Sequence, residues 1–229
     1  MGRLVGATEF TITRKNKEGE GTSWRTGALN PKARIVCEHC NSGWMSKLEA
    51  TIAKPILENM ILHASPVSLL RLGVASIVAF AFKSAVVADA MNTDHVPFYS
   101  LSQRRQFARA LTIPDGTQVW LCALAKQHGI FKSYFFKTPD GKANGFHLHV
   151  FTYGMGHFAF QVVSIKWTAR NQRRHQVPPF VRQSSGDDDI AIPLWPWNGI
   201  PILWPPRQYL LQQSIDEFAF RWKDISLTR

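Results

Sequence analysis

The sequence predicts an α+β fold in which central helices precede an antiparallel β-sheet and a C-terminal helix. Residues 67–91 are rich in Ala and Phe and apolar on most sides, which is typical of a helix at the centre of a fold. After Pro114 the periodicity changes, and segments rich in aromatic and β-branched residues alternate with glycine-containing turns. The composition of the 229 residues, 45% hydrophobic and 19% charged, is that of a globular protein long enough to form its own core.

The first part of the chain is predicted to form short elements. Up to residue 33 the sequence is polar and basic, with alternating stretches that predict one or two short strands joined by a loop at 16–21. A strand at 34–36 precedes a helix whose candidate cap is Ser42. Helices are predicted at residues 44–52, 55–63, 67–91 and 97–111.

The second half of the chain is predicted as an antiparallel sheet of about four strands. Its turns are Pro139-Asp140-Gly141 and Gly154-Met155-Gly156. A polar loop at 169–189 and a proline-rich segment with three tryptophans follow, and a final helix is predicted from about residue 207 to 223. The strands are predicted at residues 117–124, 130–137, 146–153 and 157–167.

The charge of the chain indicates a polyanionic partner. Lys and Arg number 27 against 16 Asp and Glu, which gives a formal net charge of +11 and a sequence pI near 9.9. Clustered cations bind phosphates by releasing condensed counterions, so nucleic acid is the expected partner and acidic lipid surfaces are the competitor. The alternative is that the charge only keeps the protein in solution.

Basic candidates for phosphate contact lie before the first cysteines and after the predicted sheet. Between residues 166 and 182 the sequence has five basic residues and no acidic one, which suits an arm that follows a phosphate backbone, with Trp167 able to stack on a base. A solvated loop is the alternative for this segment. The candidates are Lys32, Arg34, Lys166, Arg170, Arg173 and Arg174.

Cysteine content and hydropathy favour a cytoplasmic protein without a membrane span. The three cysteines are too few for a disulfide framework, and the opening residues lack the apolar core of a secretory signal. The longest uncharged apolar run, at 72–82, has 11 residues, whereas about 20 are needed to cross a bilayer. We therefore expect a reducing, cytoplasmic setting and no membrane partner.

The segment Cys37-Glu38-His39-Cys40 has the spacing of a zinc knuckle. Two cysteines two residues apart at a turn can both bind one tetrahedral Zn²⁺, at about 2.3 Å from each sulfur. A structural zinc needs four ligands, and the chain has no second such pair. A redox-active pair and two reduced cysteines without metal are the alternatives.

The residues around the cysteines resemble a known motif. The run Cys37-x-x-Cys40-Asn41-x-Gly43-Trp44-Met45-Ser46-x-Leu48-Glu49 is similar to the second half of the zinc-binding HNH, or His-Me finger, endonuclease-like proteins of bacteria and their phages. The resemblance implies that residues 1–63 form a partial ββα-like zinc-knuckle unit and that residues 64–229 form a second domain packed with it. It also implies a structural Zn²⁺ on Cys37 and Cys40, a divalent Mg²⁺ or Mn²⁺ at the scissile phosphate, and DNA rather than RNA as the partner.

The first half of that motif has no counterpart in the sequence. No Cys or His precedes Cys37, so the general base and two zinc ligands of the family are missing. Asn41 falls where the family supports the catalytic fold, and His39 and Glu49 are candidates for the base and for a ligand to the divalent cation. Either the start codon is placed too far downstream, or the protein is a degenerate relative kept for binding, or a partner supplies the missing half. A homodimer that pools both cysteines would complete a Cys₄ site.

Three histidines follow on the predicted sheet. His147 and His149 lie two residues apart and therefore on one strand face, with His157 after the next turn. Two such histidines can bind zinc. The alternative is the polar face of a half-buried sheet, because no carboxylate or cysteine is near in sequence.

The sequence thus predicts a nucleic-acid-binding, HNH endonuclease-like protein, which is a metal-dependent phosphodiesterase only if the missing half of the motif is supplied. The first alternative is a non-catalytic protein–protein interaction module of a phage or defence system. The second is a small-molecule-binding fold whose central helix lines an apolar pocket.

Overall fold

The computed structural model describes residues 10–15, 21–26, 35–91, 96–137, 145–168 and 190–222. Within these residues the helices lie mostly in the first half of the chain, and the antiparallel strands lie mostly in the second. The predicted α+β class is therefore confirmed. The predicted polar loop at 169–189 and most of the predicted loop at 16–21 lie outside the described residues.

The chain begins with the predicted pair of short strands. Strand β1 (Phe10–Lys15) pairs with β2 (Gly21–Thr26) in an antiparallel hairpin, with Phe10 opposite Thr26 and Lys15 opposite Gly21. The predicted strand at 34–36 is wrong for its described residues, because Ile35 and Val36 form a turn and a bend before the first helix.

An uneven helical path follows from residue 38 to 62, with a kink at Gly43, whose backbone (φ −87°, ψ −111°) is not helical. It begins six residues before the predicted start, and its cap is Cys37 rather than Ser42. Two wider, π-helical turns interrupt it, the second at Pro55, whose missing N–H and bulky ring are incompatible with a regular α-helical hydrogen bond. The segments are α1 (Glu38–Cys40), a π-helical turn (Asn41–Met45), α2 (Ser46–Ile52), a second π-helical turn (Ala53–Leu57) and α3 (Glu58–Leu62).

Helix α4 (Arg71–Met91) is the centre of the fold. It packs against α2 on one side and against the sheet on the other, and residues such as Ile77, Ala81 and Phe82 are completely buried. It starts four residues later than predicted, because residues 67–69 form strand β3 (Val67–Leu69), which pairs with β7 (Ile202–Trp204) near the other end of the chain.

Helix α4 is long and apolar enough to cross a membrane by length and composition alone. In this fold, however, 67% of its most apolar 18-residue stretch is buried inside the protein. The burial on most sides agrees with the predicted role as a core helix.

Helix α5 (Leu101–Ala110) follows α4 after a short connection. Both oxygens of the buried Asp89 carboxylate accept backbone N–H groups of that connection, from Phe98 at 2.9 Å and from Tyr99 at 3.1 Å. Ser100 and Gln103 form a capping box, which satisfies backbone groups at the start of the helix. These contacts determine where α5 starts and how it leaves the core.

Two long strands replace the four predicted ones. Strands β4 (Thr117–Lys137) and β5 (Phe146–Trp167) pair antiparallel along most of their length, and β6 (Ile192–Trp195) joins the other edge of β4. The predicted turn at Gly154-Met155-Gly156 lies inside β5, opposite a bulge in β4 where the register shifts between Ala123 and His128. The glycines allow β5 to bend there instead of reversing.

The C-terminal segment covers the sheet with a shorter helix than predicted. Residues 207–211 are not helical, because Leu210 exchanges backbone hydrogen bonds with the bulge of β4. A 3₁₀ turn (Gln212–Ser214) leads into α6 (Ile215–Phe220). The buried amide of Gln161 connects this helix to the sheet, since it donates to the Phe218 carbonyl and accepts from Arg221 and Trp222.

Candidate metal site and its surroundings

The two cysteines of the knuckle lie at the start of the helical path. Cys37 has an extended backbone (φ −65°, ψ 152°), and its sulfur accepts the backbone N–H of Cys40 at 3.4 Å. The chain then turns, because the Asn41 N–H donates to the Cys37 carbonyl at 3.0 Å. This turn brings both side chains to one side of the knuckle, as a shared ligand requires.

The thiol groups of the knuckle differ in acidity. Hydrogen bonds from the Cys40 thiol and backbone N–H lower the pKa of the exposed Cys37. The pKa of Cys40 is raised, because its thiol donates to Cys37 and is slightly buried, and the Trp44 indole only partly offsets this. Cys37 is therefore the first of the two to become the thiolate that binds a metal.

An unpaired indole group fits a second thiolate. The Trp44 Nε1 atom is buried and makes no hydrogen bond of regular geometry among the described residues, but it lies close enough to the Cys40 thiol to lower its pKa. A buried N–H without a partner is costly, and a Cys40 thiolate would accept it. Together with the N–H of Cys40 on the Cys37 sulfur, this environment fits two metal-bound thiolates.

The described residues provide only part of a ligand set. Among them, no group of three or more His, Cys, Asp or Glu side chains is placed to hold a metal ion. His39 and Asn41 lie on the knuckle and are exposed, so both are accessible to a substrate or to another chain. Any further zinc ligands must therefore come from outside the described part of this chain.

The predicted cation ligand Glu49 is bound to a lysine. Its carboxylate forms an ion pair with the Nζ atom of Lys83, which is on the central helix α4 and only 7% exposed, while the Glu49 side chain is 48% exposed. The Lys83 ammonium also lies over the Phe80 ring, 4.8 Å from its centroid. Because the ammonium already neutralises Glu49, the carboxylate is a weaker ligand for a divalent cation than a free one.

Sequence reasoning did not identify Lys83 as a partner of Glu49. The signal was a lysine in the middle of a largely apolar helix, which must find a counter-ion when the helix is buried. The pair connects the helix behind the knuckle to the core of the protein.

Most of the predicted phosphate-binding residues lie outside the described part of the chain, namely Lys32, Arg34, Arg170, Arg173 and Arg174. Lys166 is described and half-buried. Its Nζ donates to the Phe98 carbonyl at 2.6 Å and lies over the Phe98 ring, 4.3 Å from the centroid. Burial lowers the pKa of Lys166 and the nearby Asp89 carboxylate partly offsets this, so the ammonium is engaged in the fold.

The three histidines of the sheet do not form one cluster. His149 is buried and hydrogen-bonds Ser133 at 3.0 Å and the Tyr99 hydroxyl at 3.2 Å. His147 packs edge-on against Phe135, and His157 stacks on His63 with ring centroids 4.0 Å apart. Their surroundings are those of structural histidines, although His149 is buried in the core and not on the half-buried polar face that was the alternative from the sequence.

Comparison with known proteins adds no relative, since no family model, no curated protein and no solved structure matches this chain. The function is therefore inferred from the motif and from the geometry around it.

Proposed function

We propose that this chain is a nucleic-acid-binding protein of the HNH endonuclease-like kind, with a structural Zn²⁺ on Cys37 and Cys40. The supporting observation is the knuckle itself, in which the two cysteines are three positions apart. The Cys37 sulfur accepts the backbone N–H of Cys40, and the buried indole N–H of Trp44 lies beside the Cys40 thiol. The net charge of +11 supports a phosphate-rich partner, and DNA is the first choice from the motif.

A second copy of the chain would complete the zinc site. Two knuckles together supply four thiolates, the ligand set of a closed structural site, without any new residue. Cys37 is exposed, so another chain can reach it. The proposed homodimer therefore binds one zinc ion for two chains.

Hydrolysis needs groups beyond those that the described residues bring together at the knuckle. His39 and Asn41 are exposed on the knuckle and remain the proposed groups for proton transfer and for support of the site. In this proposal Glu49 binds Lys83 and holds α2 on the core, and a Mg²⁺ or Mn²⁺ ion, which would stabilise the leaving oxygen, needs ligands from outside the described residues. The isolated chain should accordingly bind DNA and cleave it slowly or not at all.

The zinc proposal is tested by metal content. We expect about 0.5 zinc per wild-type chain if a dimer shares the site, from the two-knuckle ligand count. Cys37→Ser should lose this zinc, whereas Cys122→Ser, which removes a thiol buried in the sheet, should keep it. Equal zinc in Cys37→Ser and wild type, or no zinc in any of them, would overturn the metal site.

The nucleic-acid proposal is tested by the salt dependence of binding. Affinity for a short duplex should fall steeply between about 50 and 200 mM salt, because each neutralised phosphate releases condensed counterions. Association with DNA that does not respond to salt would refute it. Cleavage is then assayed with Mg²⁺ or Mn²⁺, and activity that survives the combined loss of His39, Asn41 and Glu49 would place the active site elsewhere.

An interaction module of a phage or defence system is the second candidate. Large apolar side chains are exposed around the β3–β7 pair, with Leu72 at 82%, Leu203 at 70% and Leu70 at 59% exposure. Such a patch is typical of protein interaction sites. Under the first proposal, Leu72→Ser with Leu203→Ser should leave DNA binding intact. The second candidate would be supported by a self-association that persists in Cys37→Ser, and is therefore independent of zinc, but is lost in the leucine variant.

A further inference from the structure

Helix α5 presents an arginine-rich surface with no acidic residue. Its ten residues include Arg104, Arg105 and Arg109 and neither Asp nor Glu. Arg105 and Arg109 are exposed and one helical turn apart, so their side chains lie on the same face. Arg104 is half-buried on the flank of the helix. We call these three residues the arginine face of α5.

The arginine face is fixed next to the knuckle. On the inner side of α5, Phe107 is 1% exposed and meets the Trp44 ring edge-on, with centroids 5.6 Å apart. The same Phe107 packs on Phe82 of the central helix at 4.8 Å. Trp44 is also the residue beside Cys40, so one aromatic contact connects the candidate metal site to the arginine-bearing helix.

The helix is also held at its start. Its capping box is complete, and the Asp89 carboxylate fixes the connection just before it. Because the backbone of α5 is anchored in this way, a ligand that binds the arginines has to order their side chains but not the helix itself. A rigid helix thus presents the three guanidinium groups.

The charges on this face have no counter-charge within the described residues. No carboxylate among them pairs with Arg104, Arg105 or Arg109, and the buried Arg104 Nε atom has no hydrogen-bond partner there. Like charges one turn apart destabilise a helix by about 0.2–0.5 kcal/mol. The C-terminal end of the helix dipole favours Arg109, but it does not account for Arg104 or Arg105.

We propose that the arginine face of α5 binds the phosphate backbone of the nucleic acid, next to the knuckle. This inference rests on the proposed function and names the surface that contacts the partner. Guanidinium groups bind phosphate oxygens in a bidentate manner. A DNA strand has one phosphate per 3.4 Å of helix axis, so side chains whose Cβ atoms are about 5–6 Å apart can reach neighbouring phosphates.

An anionic membrane is a less suitable partner for this face. A helix that lies in a membrane interface needs a large apolar side opposite its cations. The apolar Phe107 of α5 is already buried in the core, and the only exposed apolar residues of the helix are Leu101 at its start and the small Ala110 at its end. Vesicles containing phosphatidylserine are therefore included in the test as a competing ligand.

The test compares two charge-matched variants of the full chain. Arg105→Gln with Arg109→Gln removes two exposed cations from α5, and Arg71→Gln with Lys126→Gln removes two exposed cations elsewhere. Binding to a fluorescent 20-bp duplex is measured from about 50 to 300 mM salt. The unfolding temperature of each variant is measured in parallel, and these exposed substitutions should leave it unchanged.

The α5 variant should lose about two phosphate contacts. Each neutralised phosphate contributes about 0.9 to the slope of log K against log salt, so the slope should fall by about 1.8. At 0.1 M salt each such contact corresponds to about eightfold in affinity, which gives about 60-fold weaker binding for two. The control variant should change the affinity much less, since distant exposed charges are screened beyond about 10 Å at this salt concentration.

The outcomes separate this inference from the proposed function. If wild type binds the duplex in a salt-dependent manner but both variants weaken binding equally, the arginine face is wrong and the proposed function stands. If wild type does not bind the duplex at all, the proposed function fails and the inference fails with it. A third result would also overturn the inference about the arginine face. In that result the wild type binds the vesicles, the duplex does not displace it from them, and the α5 variant no longer binds them.

Discussion

The ion pair between Glu49 and Lys83 allows a decisive test of how the knuckle is attached to the core. Glu49→Gln removes the charge of the carboxylate and keeps its shape. Lys83 then remains on the central helix, 7% exposed, without the carboxylate that faces it. If the pair is structural, this single change should destabilise the whole fold rather than only a catalytic step.

The magnitude follows from the unequal burial of the two partners. Breaking a fully buried pair costs about 3–5 kcal/mol, and exposed pairs contribute about 0–1 kcal/mol. Since the Glu49 side chain is 48% exposed and Lys83 is buried, we expect a loss of about 2 kcal/mol for Glu49→Gln, between these limits. For a chain of 229 residues this lowers the unfolding temperature by about 4–8 °C.

The reverse substitution should cost much less. Lys83→Met fills a similar volume without a charge, and the half-exposed Glu49 can be solvated, so the stability should stay within about 1 kcal/mol of wild type or rise. The double variant should be as stable as Lys83→Met alone. Glu49→Gln should thus cost about 2 kcal/mol in the wild type and almost nothing in the Lys83→Met background. Urea unfolding of the four proteins of this double-mutant cycle should therefore give a coupling energy of about 2 kcal/mol.

One result would refute this reasoning. If Glu49→Gln unfolds at the same urea concentration as wild type, Lys83 does not depend on Glu49 and the carboxylate is available for another role. A loss of Mg²⁺-dependent cleavage in that stable variant would return Glu49 to the role of cation ligand that the motif implies. Tyr153 lies near the pair, since burial and the Glu49 charge both raise its pKa.

Three further outcomes are expected from the sheet and the thiols. Gly156 has φ +61°, and an added Cβ would lie 2.4 Å from a backbone carbonyl oxygen of α3. Gly156→Ala should therefore lower the free energy of unfolding by at least about 2 kcal/mol in thermal unfolding. Gly73→Ala, whose added Cβ would lie 3.5 Å from the nearest side-chain atom, is the control and should be neutral or slightly stabilising. Gln161→Ala removes four hydrogen bonds and should lower the free energy of unfolding by about 2–4 kcal/mol. Hydrogen exchange should become faster in α6 and in the residues that contact it, and not elsewhere. A loss of stability below about 0.5 kcal/mol would contradict the role of Gln161 in connecting α6 to the sheet. At pH 8 iodoacetamide should modify Cys37, whose pKa is lowered, and not Cys122, whose pKa is raised by burial to about 12. Because the thiolate is the reactive form, raising the pH should label Cys37 faster and leave Cys122 unlabelled until the protein unfolds. Labelling of Cys122 before unfolding, detected in peptide maps, would refute its burial.

The elements that the sequence predicted well depend on local patterns. The boundaries of α4 and α5 were predicted to within four residues. A helix can be predicted locally because its apolar residues recur at helical spacing along its own sequence. The N-terminal hairpin and the antiparallel strands were predicted from alternation and aromatic content. The contact between the Cys40 N–H and the Cys37 sulfur is also local, since the two residues are three positions apart, but the zinc site on these cysteines stays a prediction.

The elements that it predicted poorly depend on contacts between distant segments. The glycine-rich segment around Gly156 was predicted as a turn, although a positive φ permits a bend within a strand as well as a reversal, and the close approach of α3 selects the bend. The first turn of the predicted C-terminal helix is extended, because Leu210 finds backbone partners in the bulge of β4. No local pattern records either contact.

By itself, then, the sequence determined the α+β class, the central buried helix and a strongly basic chain. Only the tertiary structure decided that Glu49 binds Lys83, 34 positions away, and that Phe107 places the arginines of α5 beside Trp44. The physical reason is that charge, hydropathy and spacing act between neighbours along the chain. A counter-ion or an aromatic partner is chosen only when packing brings separate helices together.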